Sequence, residues 1–402
     1  MNVLVVNCGS SSIKYSLFRM ADGDPAAVVA SGVVEKIGET GSRIHHRAGE
    51  ARETRAVAAP DHRAAFGLMV QALTEGPRAV IAGPGDIDAV GHRCVHGAER
   101  FAESVRIDDD VIDAIEACVP LAPLHNPPNL TGIRAALALM PDVPHVAVFD
   151  TAFHQTIEPH AFLYAIPYAL YTEHGIRRYG FHGTSHRYVT QAAAGVLGRR
   201  LAETNLITAH LGNGCSVTAV QGGKSVDTSL GLTPLEGLVM GTRSGDVDPA
   251  IVFHLIRTLG MTVDQVDDLL NRKSGLLGLS GVSNDMREVS RAAAEGNERA
   301  DLAIRIFCYR LRKYIGAYTA VLGRVDALVF TGGIGENAAH VRRRTCEGLG
   351  PLGYVMDPDR NEAPDRGPRD LATPESPIRI LVIPTDEEAL IAQDTARIAA
   401  MR

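Results

Sequence analysis

Residues 3–18, VLVVNCGSSSIKYSLF, decide how this chain is read. Val3–Val6 is an unbroken apolar run that stops at Asn7. Cys8-Gly9-Ser10-Ser11-Ser12 follows as a small-residue turn, and from Ile13 to Leu17 apolar and polar residues alternate. The pattern predicts strand, tight turn, strand. Hydroxyls and backbone N–H groups crowd the turn and nothing bulky blocks it, so it is suited to wrapping a phosphate.

The device returns roughly 200 residues later. Asn205–Ala209 is apolar, residues 210–216 (HLGNGCS) form the turn, and Val217–Val220 leads out. Gly222-Gly223 predicts a hairpin and Ser225–Thr228 a third strand; Asp22-Gly23 and Val28–Val34 are their counterparts in the first half. Asn7 aligns with His210 and Gly9 with Gly212, with an offset of one residue afterwards. Two readings stay open on this pair alone: an internal duplication giving two similar lobes, or two unrelated β-meanders.

With 402 residues the chain can bury two cores. It is 45% hydrophobic and 22% charged, an ordinary globular balance. Net charge is −7 and no Lys/Arg block exceeds Arg342-Arg343-Arg344, which argues against nucleic acid or an anionic membrane surface as partner. No apolar run approaches the ~18 residues of a membrane span, and the N-terminal run lacks the basic lead-in of a signal peptide. The six cysteines show no C-x-x-C spacing, so a reducing cytoplasm is expected rather than a disulfide or metal framework.

Along the chain, Ser42–Arg55 reads as exposed strand or loop and Asp61–Thr74 as a helix. Ile87–Val90 reads as a short strand running into GHRCVHG (91–97), Val111–Ala117 as helix, PLAPLHNPPNL (120–130) as a rigid loop, and Asn129–Leu139 as helix. His145–Phe149 is an apolar strand ending on Asp150, where a domain boundary is expected. Helices are expected over Asp248–Leu259 and Thr262–Leu270. A long one is expected over Leu302–Leu322, with an apolar stripe at Ile304, Phe307, Leu311, Ile315, Tyr318 and Leu322. Ala327–Phe330 and Ile378–Ile383 are strands, and TDEEALIAQDTARIAA (385–400) is a terminal helix.

Two glycine motifs need sorting. GGKS (222–225) resembles the end of a Walker A loop, but Thr218 occupies the first glycine position and the segment sits in a hairpin, so it is rejected. GIGENA (333–338) fits a dinucleotide fingerprint, with Asp357 about 20 residues on. Only about 70 residues follow Gly333, too few for a full doubly wound domain, so a turn against the sugar or phosphates of a mononucleotide is the better reading. Arg93, His96, His125, Asp150, His182, Arg243, Asp246 and Glu387 each lie in or near loops past apolar segments, where sites are built. Arginines that grip anionic oxygens and carboxylates that hold Mg²⁺ are the parts of a phosphoryl-transfer site.

VLVVNCGSSSIK and LITAHLGNGCSV resemble the two signature stretches of the acetate kinase (acetokinase) family. The resemblance extends through GHRCVHGAERF, PLAPLHNPPN, VFDTAFHQTI, RRYGFHGTSHRYV, DTSLGLTPLEGLVMGTRSGDVDPA, SGLLGLSGVSNDMR, FTGGIGEN and TDEEALIA, in order over nearly the whole chain. It implies an α/β fold of two duplicated actin-like (ribonuclease H-like) lobes, with mixed β-sheets flanked by helices and the nucleotide in the interlobe cleft. It implies an N-terminal lobe of residues 1–150 plus 385–402, with the last helix crossing back. The C-terminal lobe, 151–384, would carry the adenosine site and a homodimer interface. The site roles it implies are these. Asn7 and Glu387 lie around Mg²⁺, with Mn²⁺ able to substitute. Ser10, Ser12 and Lys14 face the nucleotide phosphates. His210, Leu211, Gly212, Asn213 and Gly214 form the second phosphate loop. Asp285, Met286 and Arg287 with Gly333, Ile334, Gly335, Glu336 and Asn337 hold the adenosine of ATP or ADP. Arg93 binds the substrate carboxylate, and Val95, Leu124, Phe181 and Pro234 form its methyl pocket. Asp150 is the acidic active-site residue, and His182 and Arg243 stabilise the transition state with His125 and Asn213 nearby.

The implied activity is reversible in-line phosphoryl transfer between ATP and acetate. A carboxylate of pKa roughly 4–5 is already ionised at neutral pH, so Asp150 is expected to order Mg²⁺ or its water rather than abstract a proton. The alternatives are a propionate or other short-chain carboxylate kinase and, in another class, a nucleotide-gated clamp ATPase. The clamp leaves Arg93, His182 and Arg243 without a task.

Overall fold

Two β-sheets organise the chain, one in each of two compact units: Met1–Gln155 with Asp386–Arg402, and Thr156–Thr385. The computed structural model describes residues 1–21 and 24–401. The Asp22-Gly23 turn expected from the sequence lies outside the described residues.

In the first unit the strands are β1 (Asn2–Cys8), β2 (Ser12–Ala21), β3 (Asp24–Glu35), β4 (Arg43–Ala48), β5 (Ala51–Ala56), β6 (Ala89–Cys94), β7 (Val105–Arg106) and β8 (His145–Phe149). Their order is β5-β4-β3-β2-β1-β6-β8-β7. From β5 to β1 neighbours are antiparallel; β1, β6 and β8 run parallel, and β7 closes the edge antiparallel. In the second unit β9 (Asn205–Leu211), β10 (Cys215–Gln221), β11 (Lys224–Thr228), β12 (Ala327–Thr331), β13 (Arg369–Asp370) and β14 (Arg379–Val382) are ordered β11-β10-β9-β12-β14-β13. The pairing senses repeat: an antiparallel meander, three parallel strands, an antiparallel edge. Apart from β4 and β5, each strand of the first sheet has a counterpart in the second, so duplication accounts for the sequence echo and coincidence does not.

The apolar run at Val3–Val6 is continuous because β1 is covered on both faces. Leu4 and Val6 pack with Phe66 and Met69 of the helix His62–Thr74, which Asp61 caps by accepting from Ala64 N. On the other face, Val5 pairs with Gly91. A Cβ at Gly91 would come within 2.3 Å of Thr395 Oγ1 and 2.8 Å of Ile391 Cγ2, so a glycine is what lets the helix Glu387–Ala400 lie against the sheet. Each buried aliphatic side chain here contributes about 1.5–3 kcal/mol. In the second unit the helix Glu298–Leu322 buries its whole expected stripe, Ile304, Phe307, Leu311, Ile315, Tyr318 and Leu322.

Three boundaries differ from expectation. β6 takes in GHRC, because His92 is stabilised inside the sheet by His145 across the strand pair (Nε2···Nδ1 2.9 Å). Ser42–Arg55 is a full hairpin, β4–β5, whose outer strand carries Arg52, Glu53 and Arg55 as edge charges. The third helix begins at Asn126, not Asn129, since prolines 127 and 128 occupy its first turn, where no N–H is needed.

Candidate active site

In the first unit three parallel strands end side by side. Val6 pairs with His92, and Cys94 with Phe149. Asn7, Arg93 and Asp150 therefore stand at adjacent carboxyl ends, where ligands bind in open α/β sheets. Arg93 donates to Asp150 with both sides of its fork, Nε to Oδ1 at 3.0 Å and Nη2 to Oδ2 at 2.7 Å. The Asp150 side chain is 2% exposed and that of Arg93 24%. This leaves Nη1 as the Arg93 donor for an incoming anion. The neighbouring Asp150 charge holds the guanidinium firmly protonated.

Glu387 opens the C-terminal helix, next to the capping Asp386. Burial raises its pKa above the usual carboxyl value; Asp150 and Glu388 push the same way, against Arg93 and Lys14. Asn7, Asp150 and Glu387 bring hard oxygen donors, the type Mg²⁺ takes. Among the described residues no group of three His, Cys, Asp or Glu side chains forms a closed metal cage. The set fits an ion held by one or two carboxylates with water and substrate phosphates, the usual Mg²⁺ pattern.

Lys14 lies opposite Asn7 in the β1–β2 register and is exposed; Ser10 is exposed and Ser12 half-buried. Gly9 N donates to Ser12 O at 2.8 Å and closes the turn, and His62 Nε2 meets Gly9 O at 2.8 Å from outside it. Asn129 ties two strand ends together: its Oδ1 accepts from Val95 N (3.1 Å) and its Nδ2 donates to Cys8 O (2.9 Å). His125 is the residue ahead of the helix Asn126–Leu139, and Leu124 beside it is 60% exposed.

In the second unit the β9–β10 turn is closed by Gly212 N donating to Gly214 O at 3.0 Å. A Cβ on Gly214 would sit 3.3 Å from His182 Nε2 and 3.6 Å from Arg243 Nη1, so the imidazole, the guanidinium and the turn converge on one small space. His182 has φ +57°, a left-handed conformation costly for a side-chain-bearing residue, and strain of this kind concentrates at functional sites. Its Nδ1 lies 2.9 Å from Ser216 Oγ, which is 2.7 Å from His186 Nε2, and His186 Nδ1 is 2.7 Å from Thr208 Oγ1. With Nδ1 anchored, Nε2 is the nitrogen turned to the Gly214 side. The His210 ring stacks on His182 with centroids 4.4 Å apart, and its Nδ1 meets Ser185 Oγ at 2.8 Å.

Arg243 donates from Nη1 to Pro234 O at 3.1 Å, and burial lowers its pKa from the usual value. Asn213 is fixed by Asn284 Nδ2 donating to its Oδ1 (2.9 Å) and Gly241 N donating to its carbonyl (2.9 Å). Phe181 and Leu211 are buried next to these groups in the chain.

A cavity of about 720 Å³ opens beside the turn. It is lined by Gly212, Asn213, Asp285, Met286, Arg287, Gly333, Ile334 and Asn337, all named from the sequence. His210, Leu211, Gly214, Gly335 and Glu336 do not line it; Gly335 is buried beneath, and Glu336 Oε1 accepts from Gly332 N (3.0 Å) and Thr385 N (3.3 Å). Asp285 caps the helix Met286–Ala294 by accepting from Arg287 N. Asn284, Ser290, Ala338 and His340 also line the cavity and were missed. Asn284 and Ala338 lie inside stretches already quoted, and Ser290 and His340 lie three residues beyond such a stretch, at Arg287 and Asn337.

His96 and Asp246, grouped with the site from sequence, have structural tasks instead. His96 Nδ1 accepts from Ala98 N at 3.0 Å, and burial holds its pKa down at about 4. Asp246 accepts from Gly237 N (2.8 Å) and Tyr314 Oη (2.9 Å).

The chain matches the acetokinase family over residues 2–393. The chain belongs to the acetokinase family. Its relatives include the acetate kinase of Natranaerobius thermophilus, 52% identical over 396 residues and 98% of each chain. The Porphyromonas gingivalis acetate kinase structure superimposes with a TM-score of 0.94 at 48% identity, covering 99% of both chains. A propionate kinase from Francisella tularensis subsp. tularensis SCHU S4 does so with a TM-score of 0.92 at 44% identity, again over 99% of both. The two-sheet α/β fold is thus the acetokinase fold, and membership makes the chain a kinase with a carboxylate acceptor. The six cysteines are free and buried. Burial pushes the thiols of Cys8 and Cys215, at the β1–β2 and β9–β10 turns, up to about 12, so neither is a nucleophile at neutral pH.

Proposed function

We propose that the chain catalyses ATP + acetate ⇌ ADP + acetyl phosphate by direct in-line transfer. The observation that carries this is the half-buried Arg243, held by a carbonyl rather than a carboxylate, aimed with His182 Nε2 at the Gly214 side of a glycine phosphate turn. A guanidinium so placed is available for phosphoryl oxygens.

Acetate arrives ionised and needs no general base. The difficulty is bringing one anion to another. In the first unit Arg93 Nη1 receives the carboxylate while Asp150 keeps the guanidinium oriented. In the second unit Arg243, His182 and Asn213 donate to the equatorial oxygens as charge spreads in the transition state. The β9–β10 turn holds the phosphates and the cavity beside it holds the adenosine. Lys14, Ser10 and Ser12 are assigned a further phosphate contact from the first turn, and the methyl-group contacts are assigned to Val95 and Leu124 in the first unit and to Phe181 and Pro234 in the second. Asn7, Asp150 and Glu387 would hold Mg²⁺, whose charge offsets that of the phosphates.

The assay is trapping of acyl phosphate as hydroxamate from ATP and Mg²⁺ with acetate, propionate and butyrate in parallel. Acetate is expected to react best; no acyl phosphate from any acid overturns the proposal.

The chain is further proposed to work as a cytoplasmic homodimer. No described helix is long and apolar enough to cross a membrane, and the free buried thiols suit a reducing compartment. The helix Ala250–Arg257 has no buried residue and exposes Ile251 and Phe253 at 43% and 53%, an apolar face suited to a second copy.

A further inference from the structure

We propose that His62 is a positioning residue: it holds the Gly9–Ser10 peptide so that the Ser10 N–H is a preset donor to nucleotide phosphate, on the Lys14 face of the sheet. This rests on the ATP reading above and deepens it.

His62 is the first residue of the helix His62–Thr74 and is half-buried. Its Nε2 lies 2.8 Å from Gly9 O. A carbonyl only accepts, so Nε2 carries a hydrogen and donates it. One peptide earlier, Cys8 O accepts from Asn129 Nδ2 of the helix Asn126–Leu139 at 2.9 Å. Both helices pack on one face of the sheet: Phe66, Met69, Ala135 and Ala136 share a core with Val6, Cys8, Ile13 and Tyr15. The carbonyls of Cys8 and Gly9 are therefore turned to that face.

No described peptide bond is cis, and in a trans peptide the C=O and the following N–H point to opposite sides. The Ser10 N–H accordingly points to the other face, and it donates to no group among the described residues. Lys14 shares that face. Side chains alternate along β2, so Lys14 and Ser16 point away from Ile13 and Tyr15. Ser16 Oγ donates to Glu388 Oε2 of the C-terminal helix at 2.6 Å, which fixes the direction. An ammonium and an N–H on one side of the turn suit an anionic oxygen. Gly9 has no side chain to resist rotation of its peptide. Rotated, the peptide would present an acceptor where phosphate needs a donor. The bond to His62 is the one hydrogen bond this peptide makes among the described residues, and it excludes that state.

The test compares the full-length wild type with three variants. His62→Phe keeps a flat ring without the donor, His62→Asn carries an amide that stops short, and His62→Gln carries one that reaches about as far as Nε2. Calorimetry gives affinities for a non-hydrolysable ATP analogue and for AMP; kinetics and thermal melting are run alongside. His62→Phe and His62→Asn should weaken the analogue about tenfold relative to AMP. The loss should lie in KM for ATP rather than in kcat or KM for acetate, with melting within about 4 °C of wild type. His62→Gln should restore the ratio to within about threefold. A ratio unchanged in both loss variants, or a loss that His62→Gln does not restore, overturns the inference. A wild type that binds the analogue but makes no acyl phosphate defeats the kinase reading alone, and the ratio still decides the role of His62. A wild type that binds neither nucleotide overturns both.

Discussion

Replacing each of the two site arginines with alanine should separate two kinds of damage. In Arg93→Ala the Asp150 carboxylate, 2% exposed, loses both charge-assisted hydrogen bonds and stays buried. Leaving one half of a buried pair costs about 3–5 kcal/mol. At about 2–4 °C per kcal/mol, the first unit should melt roughly 6–20 °C lower. Arg243→Ala removes one hydrogen bond to Pro234 O, worth about 1 kcal/mol, and strands no carboxylate. The sign of its titration works the other way. Burial lowers the Arg243 pKa from its usual value, so the folded chain holds this proton less tightly than the unfolded chain, and at neutral pH the charge costs stability. Its removal recovers part of that cost, leaving a net change within about 1 kcal/mol and a melting shift under about 4 °C. Activity should invert the order of benefit: Arg243→Ala should lose on the order of 10³ in kcat, about 4 kcal/mol of transition-state stabilisation, with KM for ATP within about threefold. Hydroxamate kinetics and thermal melting on the same samples read both quantities. An Arg243→Ala protein that melts as low as Arg93→Ala, or keeps kcat within tenfold, would refute the assignment of Arg243 to the transition state.

Val95→Ala should raise kcat/KM for propionate relative to acetate by about tenfold, since one methylene in an apolar pocket is worth ~1–3 kcal/mol; an unchanged ratio removes Val95 from the pocket. Glu387 has a raised pKa, in part through Glu388, and the role proposed for it at Mg²⁺ requires its ionised form. Glu388→Gln should therefore move the acid limb of the activity profile to lower pH at limiting Mg²⁺, and a limb that stays or moves up contradicts this. Because the folded chain binds the Glu387 proton more tightly than the unfolded chain, the group costs stability as pH rises through its raised pKa. Phe253→Arg on the exposed face of Ala250–Arg257 should give monomers by analytical ultracentrifugation with melting unchanged; dimers of wild-type affinity would place the interface elsewhere.

Much of the architecture is legible in the residues because local pattern and global fold agree. The run Val3–Val6 is continuous because both faces of β1 are covered, and Gly222-Gly223, both at positive φ, spell a hairpin. The stripe of the helix Glu298–Leu322 is legible for the same reason. What escapes is whatever depends on a partner distant in sequence. His92 looks like a loop residue until His145 is placed beside it across the sheet. His96 and Asp246 look like site residues, since a strand-end loop carries structural and chemical polar groups alike, and only their contacts with Ala98, Gly237 and Tyr314 tell them apart. Ser290 and His340 belong to no motif, and only the folded structure shows that they line one cavity with Gly212, Asp285 and Gly333.

The repeated strand order lets the two halves be compared position by position, and the comparison shows how one ancestral ring of strand ends diverged. In the first sheet Val6 pairs with His92, and in the second Ala209 pairs with Phe330, which makes Asn7 and Arg93 the homologues of His210 and Thr331. The pairs His92–Ala147 and Phe330–Val382 carry the count on from Asp150 to Thr385. One copy thus holds an arginine–carboxylate ion pair at the places where its twin holds two threonines. Of the three aligned strand-end positions, two are charged in one copy and neutral in the other. Exchanging the pair for the hydroxyls, Arg93→Thr with Asp150→Thr, retraces that divergence in a single protein.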